Sequence, residues 1–185
     1  MSSMRFGNVL LAALVLACSA CARFENPVVG DGPRFDDRLA GHWYAESEEG
    51  KFDMEIRRDR DEGVIVATGT KLGEEPESDQ MRLITARIGQ QSFASVAGFK
   101  EGSNWILFRY DIANPDVLVL FQDNEHAWDD AVKNKVLPGN ADESGRERGS
   151  TVTASSEELR DFVLGYGSVI FDDQPSTEFR RVPAD

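Results

Sequence analysis

The chain has 185 residues, of which 41% are hydrophobic, and it carries 33 acidic against 20 basic side chains, for a net charge of −13. This length and apolar content suit one globular domain and exclude an intrinsically disordered protein. The acidic balance excludes proteins that bind nucleic acid or anionic lipid through a basic surface, because both ligands would be repelled. The two cysteines, Cys18 and Cys21, lie near the start. Residues downstream of them therefore offer no disulfide, thiolate zinc site or cysteine nucleophile.

The first element in chain order is an export signal over residues 1–17. Arg5 supplies one positive charge, and residues 6–17 form an apolar run. This layout is typical of a secretory signal peptide. The run is too short to cross a bilayer, which requires about 20 apolar residues.

Residues 14–18, Leu-Val-Leu-Ala-Cys, resemble the lipobox of bacterial lipoproteins. The resemblance implies that the thiolate of Cys18 receives diacylglycerol, with Cys21 as the alternative position. Ser19 follows Cys18, and in lipoproteins of the enteric type this implies sorting to the outer membrane, with the protein facing the periplasm. Two other readings stay open: an ordinary cleaved signal peptide without lipid, and a disulfide between the two cysteines.

Residues 18–38 are predicted to be the anchor cysteine followed by a flexible tether. Pro27, Gly30, Gly32 and Pro33 interrupt this segment, which has few periodic apolar positions. A single β-rich globular domain is predicted over residues 39–185.

The domain begins with a series of strands. Phe52, Met54 and Ile56 alternate with charged residues, which is the period of a half-buried antiparallel strand. Residues 81–86 are apolar at both sets of alternating positions, so that strand is expected to be covered on both faces. This series is expected to contain seven strands, over residues 41–47, 51–57, 64–68, 81–86, 91–97, 103–112 and 116–122.

Two helices follow the strands. Asn124 is expected to cap a helix that runs to about Val136. Residues 155–158, Ser-Ser-Glu-Glu, form a capping box that opens a second, short helix, which Gly165 and Gly167 are expected to end. Residues 151–153 are expected to form one short strand, and residues 169–171 and 177–182 are expected to form closing strands.

The predicted fold class is mainly β with two short helices, an α+β antiparallel meander that closes into a small barrel, because closure removes exposed strand edges. Residues 39–43, Leu-Ala-Gly-His-Trp, resemble the Gly-x-Trp start of lipocalin-like barrels, in which the Trp plugs one end. The later order is similar to that of uncharacterised proteobacterial lipoproteins: an apolar strand, a Trp-bearing helix, the helix after Ser155 and a terminal Phe-Arg-Arg. That resemblance implies no activity.

Five aromatic residues are candidates for the lining of an apolar ligand pocket. The alternative is that they fill the core, since inward positions of small barrels are usually occupied by side chains. Arg180 and Arg181 are expected to pair with acidic groups or to stay solvated. The candidate pocket residues are Trp43, Trp105, Phe108, Tyr110 and Phe121.

The chain has two histidines, His42 and His126. His126 and Asp130 have the i, i+4 spacing of metal ligands, but acidic residues are favourable in the first turn of any helix, so no metal site is predicted. His42 alternates with Trp43 and is expected on the outer surface. The sequence contains no Gly-x-Ser-x-Gly, Walker or dinucleotide-binding motif, and no cofactor is predicted.

These patterns predict a non-catalytic, membrane-anchored lipoprotein of the bacterial cell envelope. Its role would be to bind a small apolar molecule or an envelope protein through the barrel mouth or the acidic surface, and no nucleic acid is expected as a partner. The alternative is a periplasmic hydrolase that uses carboxylates with His42 and His126.

Overall fold

The computed structural model describes residues 22–47, 50–71, 77–100, 102–141, 150–171 and 173–183. Its small sheet consists of β1 (Arg23–Phe24), β10 (Thr151–Val152) and β9 (Gly139–Asn140), in that order. The larger sheet is a closed barrel whose strands are β2 (Gly41–Ser47), β3 (Gly50–Asp59), β4 (Glu62–Lys71), β5 (Glu77–Ile88), β6 (Gln91–Gly98), β7 (Ile106–Asn114), β8 (Val117–Phe121) and β11 (Thr177–Arg181).

The barrel is an antiparallel meander in which β11 closes the ring. Consecutive strands from β2 to β8 pair as hairpin neighbours, and β11 pairs with both β8 and β2. The predicted fold class is confirmed: the protein is mainly β with two α-helices, and the eight-stranded closed antiparallel barrel is consistent with a lipocalin-like fold. The seven expected strands all belong to the barrel, and residues 177–181 provide the eighth.

Alternation along the strands places one set of side chains inside the barrel. Trp43, Met54 and Ala67 occupy paired positions on β2, β3 and β4, so their side chains point to the same, inner face. Trp43 and Met54 are buried, whereas Asp53 and Glu55, which flank Met54 on β3, belong to the outer face. The inner core consists of Phe35, Leu39, Trp43, Ala45, Met54, Ile56, Ile65, Met81, Leu83, Ala94, Val96, Phe108, Tyr110, Leu118 and Phe179.

A second core lies outside the barrel, against the outer faces of β5, β6 and β7. Ile84 and Phe93 point outward from these strands and are nevertheless 0% and 1% exposed. They are covered by a layer formed by the N-terminal segment, the small sheet and two helices, α1 (Glu125–Lys133) and α2 (Ser156–Ile170). The expectation that residues 81–86 are covered on both faces is confirmed.

Residues 22–38 form part of this folded domain. Ala22, Phe24, Val28 and Phe35 are each 2% exposed or less. A 3-10 helix, Asp37–Leu39, then leads into β2. The prediction of a flexible tether is therefore wrong for residues 22–38, since their apolar side chains lack a regular period yet fill gaps in both cores.

The helix starts follow the predicted capping chemistry. The side chain of Asn124 accepts a hydrogen bond from His126 N–H at the start of α1. Ser155 and Glu158 form the capping box of α2. The predicted end of α2 is wrong: the helix continues through Gly165 and Gly167 to Ile170, and the strand expected over residues 169–171 is absent. Within the described residues, neither helix has the length and hydropathy needed to cross a bilayer.

Candidate binding site at the barrel mouth

The two ends of the barrel differ. We call the end at which β2 begins the closed end, and the end at which β2, β4, β6 and β8 finish the mouth. The 3-10 helix and Phe35 lie at the closed end, since both immediately precede β2. Because the strands alternate in direction, the end of the barrel near which an inward residue lies follows from its position along its own strand.

Trp43 and Arg181 seal the closed end. The indole N–H of Trp43 donates to the Leu39 carbonyl at 2.8 Å, and the Arg181 guanidinium lies 4.2 Å from the centre of the indole ring. The same guanidinium donates to the carbonyls of Arg38, Ala40 and Pro115 at 2.7–2.8 Å. The prediction that Arg181 pairs with an acidic group or stays solvated is therefore wrong.

Gly41 is required for this arrangement. Its φ of +142° is rarely adopted by other residues, and a Cβ atom there would lie 2.2 Å from Nη1 of Arg181. Any side chain at this position would displace the guanidinium from Trp43. The glycine of the Gly-x-Trp pattern therefore leaves the space that the Arg181 guanidinium occupies at the closed end.

The hydroxyl of Tyr110, near the closed end, is a buried polar group with a hydrogen-bond partner. The buried Tyr110 hydroxyl donates to Asp36 Oδ2 at 3.0 Å, and Arg38 Nη2 donates to the same oxygen at 2.7 Å. Burial, with the neighbouring Asp36 charge, raises the pKa of Tyr110. Burial alone would raise the pKa of Asp36, but the hydrogen bonds from Arg38 and Tyr110 outweigh it and lower the pKa. This pairing and the buried side chains of the inner core occupy the closed end.

Several inward positions near the mouth are less covered than those of the inner core. Four of them, which we call the cup, are apolar side chains that are only partly buried. Glycines at two further inward positions, Gly69 and Gly98, add no bulk. Asp79 pairs with a cup residue across β4 and β5, and Thr177 pairs with another across β8 and β11, so both bring polar groups to the rim. The cup consists of Phe52, Ala67, Ile106 and Leu120.

The five aromatic residues predicted to line a pocket do not share one surface. Trp43, Phe108 and Tyr110 point into the barrel and belong to the packed inner core. Trp105 lies in the outer core, with the Arg82 guanidinium 5.0 Å from its ring. Phe121 points outward beneath Arg109, whose guanidinium is 4.0 Å away.

Sequence reasoning missed the cup residues because it chose aromatic side chains without knowing which of them share one end of the barrel. The available signal was positional: apolar residues at inward positions on the mouth side of their strands. Reading that signal requires the register of each strand pair, which the sequence does not specify.

The two histidines lie on different parts of the molecule. His42 is on the outer face of β2, as predicted, and its Nε2 contacts Asp53 Oδ1. Both side chains are 46% exposed and border an open depression of about 550 Å³ that Val66 and Thr68 also line. His126 is on α1, which follows the mouth end of β8, whereas His42 is at the closed end. Among the residues that the structure describes, no three His, Cys, Asp or Glu side chains are grouped as a metal site would require.

The predicted signal peptide and both candidate acylation sites, Cys18 and Cys21, lie outside the described residues. Comparison with known proteins returns no matching family model, no matching curated protein and no matching solved structure. The fold therefore stands on the structure alone. The features that bear on function are the cup, the outer surfaces and the sequence around Cys18.

Proposed function

We propose that this chain is a non-catalytic lipoprotein of the bacterial cell envelope that holds a small apolar molecule in the cup. One observation carries the binding role: Phe52, Ala67, Ile106 and Leu120 face the barrel interior but remain partly exposed. Most inward positions at the closed end are buried by comparison, and Ile112 is the partly buried exception. Partly exposed, concave apolar surface with few polar groups is typical of ligand sites.

The composition of the cup limits the ligand. Met54, Met81 and Phe108 occupy the barrel beneath it, so a ligand enters only its upper part. Among the described residues, Asp79 and Thr177 bring polar groups to the rim, where a ligand head group could bind. These features favour the end of an acyl chain or a compact apolar molecule whose polar end stays at the surface.

Binding is tested with the fluorescent fatty acid cis-parinaric acid. We expect saturable fluorescence enhancement with the wild-type protein and about tenfold weaker binding by Ala67→Phe, because the larger ring occupies the cup. Thr68→Phe is the matched control, since the neighbouring side chain points outward on the same strand. Absence of binding by the wild type, or equal loss in both variants, would contradict the proposal.

The anchoring role rests on residues 14–18 and on the thiolate chemistry of Cys18. With Ser19 next in the chain, we place the protein at the outer membrane, facing the periplasm. Cells grown with labelled palmitate should label the wild type and Cys21→Ala but not Cys18→Ala. The reverse pattern would move the modification to Cys21, and no labelling of the wild type would remove the anchor.

The alternative is a periplasmic hydrolase. The contact between His42 and Asp53 beside the outer depression supports it, because a carboxylate can orient an imidazole for general base catalysis. His126 lies at the other end of the barrel and does not join this pair. We expect no hydrolysis of p-nitrophenyl acetate above the buffer rate. Turnover by the wild type that His42→Ala abolishes would favour the hydrolase.

A further inference from the structure

We infer that the mouth faces the membrane that carries the lipid anchor, so that the cup opens toward the lipid surface. This inference rests on the proposed acylation of Cys18. It adds an orientation that the proposed function does not contain. Three features of the described residues carry it: where the chain enters the domain, how short the link is, and which apolar side chain is exposed at that end.

The chain enters the domain at the level of the mouth. Phe24 and Trp105 exchange two backbone hydrogen bonds, of 2.9 and 2.7 Å. Trp105 immediately precedes Ile106, which begins β7 at the mouth. β1 and the buried Ala22 before it are therefore held beside the mouth.

The segment after β1 descends toward the closed end. Val28 N–H donates to Ser95 Oγ at 3.0 Å, three residues before β6 ends at the mouth. Further along, Gly30 packs against the backbone of Arg87, where a Cβ atom on Gly30 would lie 2.6 Å from the Arg87 carbonyl oxygen, one residue before β5 ends at the closed end. This direction shows that the N-terminal side of the segment, and not its C-terminal side, is at the mouth.

The link between the proposed anchor and the domain is short. Four peptide units separate Cys18 from Ala22, and a fully extended chain of that length spans at most about 14 Å. Barrel strands of 10 to 12 residues, such as β3 and β5, with a tilt of about 40°, make a barrel about 25–30 Å tall. The acyl chains can therefore reach a bilayer beside the mouth, but the closed end is too far away for the same anchor.

Phe99 is the exposed apolar side chain in this region. It directly follows Gly98, the last residue of β6, and is 53% exposed. Aromatic side chains are favourable at the boundary between lipid head groups and acyl chains. Its position next to the mouth fits insertion into the surface to which the anchor holds the domain.

A second exposed apolar patch provides the competing orientation. It lies on the later part of α2 and consists of Leu164, Tyr166 and Val169, which are 52–64% exposed. Leu164 lies next to Gly89, in the turn between β5 and β6 at the closed end. Insertion of this patch would turn the closed end toward the membrane, so the two orientations make opposite predictions.

The test measures which of three positions is near the lipid. Acylated protein is purified in a Cys21→Ser background and reconstituted in zwitterionic phosphatidylcholine vesicles, because the net negative charge disfavours anionic lipid. A bimane label is attached through Phe99→Cys, Asp116→Cys or Val169→Cys. Asp116 is the closed-end control, in the connection between β7 and β8.

We expect nitroxide-labelled lipid to quench the label at position 99 several-fold more than the label at position 116 or 169. Stronger or equal quenching at either of the other two positions overturns the orientation. Mass spectrometry of the N-terminal peptide and vesicle flotation separate this outcome from a failure of anchoring. A protein without an acyl group at Cys18 overturns the anchoring proposal, and the orientation with it.

Discussion

The barrel interior and the layer outside the barrel are both hydrophobic cores, but different parts of the chain build them. The inner core is formed mainly by alternate residues of neighbouring strands, so most of its contacts follow hairpin pairing. The outer core joins residues that are distant in sequence. Asn26 Nδ2 donates to the Ala154 carbonyl at 3.0 Å and Arg160 pairs with Asp31 at 2.8 Å, which are separations of 128 and 129 residues.

Strands β5, β6 and β7 belong to both cores, and this is what places the helices. Leu83 and Ile84 are neighbours on β5 that point to opposite faces, and both are buried. On β3, the outward Asp53 and Glu55 face solvent instead. On β5, β6 and β7 the outer layer covers a second apolar face. The same layer holds the start of the domain beside the mouth. The outer core therefore fixes where the chain enters the domain, and the inner core shapes the cup.

Removing a buried tryptophan from either core should cause the largest loss of stability, and it tests whether the two cores unfold together. Trp43 lies in the inner core, while Trp128 lies in the outer core with the rings of Phe24 and Phe162 centred 4.8 and 5.4 Å away. Each Trp→Ala substitution should lower the free energy of unfolding by about 3–5 kcal/mol, because a buried cavity replaces the indole. Urea unfolding followed by far-UV circular dichroism should show one transition in both variants.

Two separate transitions in Trp128→Ala would contradict this, because they would show that the outer layer unfolds independently of the barrel. Phe99→Ala is the control for aromatic truncation. Because Phe99 is 53% exposed, its removal should change the free energy of unfolding by less than about 0.5 kcal/mol.

The next effect concerns the closed end of the inner core. Arg181→Met should lower the free energy of unfolding by about 2 kcal/mol, because three carbonyls lose a charged donor. Arg180→Met is the matched control, since the side chain of Arg180 is 77% exposed and pairs only with Glu178 among the described residues. We expect a change near zero there. Equal effects in guanidinium chloride unfolding would show that Arg181 does not seal the barrel.

The pairing of Asp36 predicts a pH dependence of the inner core. The pKa of Asp36 is lowered in the folded protein from its ordinary value of 3.8, so its ionised form stabilises the fold above that pH. Asp36→Asn should cost about 1 kcal/mol at neutral pH, because the ion pair with Arg38 is lost. The difference from wild type should shrink as the pH falls below 3.8 and through the lowered pKa. A constant difference down to about pH 2 in urea unfolding would contradict this assignment.

The smallest effect tests the exposed side of the outer layer. Gly165 lies within α2 with open space where a Cβ would be, so Gly165→Ala should stabilise the protein by about 0.5–1 kcal/mol. At Gly167 a Cβ would lie 2.9 Å from Gln91 Oε1. Gly167→Ala should therefore give less stabilisation, since the Gln91 side chain must move. Thermal unfolding monitored by circular dichroism would contradict this if Gly167→Ala were the more stable variant.

Local patterns predicted the elements well where one rule governs the residue. Alternation at Phe52, Met54 and Ile56 predicted a barrel strand, and the capping box at Ser155 predicted the start of α2. Glycine was a poor guide at Gly165, because burial of Phe162 and Ile170 on the same helix outweighs a helix propensity cost of about 1 kcal/mol per glycine. Proline and glycine likewise hid the packing of residues 22–38.

The candidate site was less predictable than the strands. Trp105 and Phe121 were expected in the pocket with Tyr110, but their positions in the strand register point them outward. The cup residues Ala67 and Ile106 carry no chemical signature of their own. They form a site because pairing brings them to the same end of the barrel, and pairing is a property of the fold.

The amino-acid sequence was enough to predict the period of each strand, the caps of both helices and the strongly acidic balance, because each depends on residues a few positions apart or on composition alone. The folded structure was needed to show which aromatic side chains share an interior, how Arg181 closes one end and where the N-terminal segment enters. Those features depend on contacts between residues far apart in the sequence, whose geometry follows from closing eight strands into a ring.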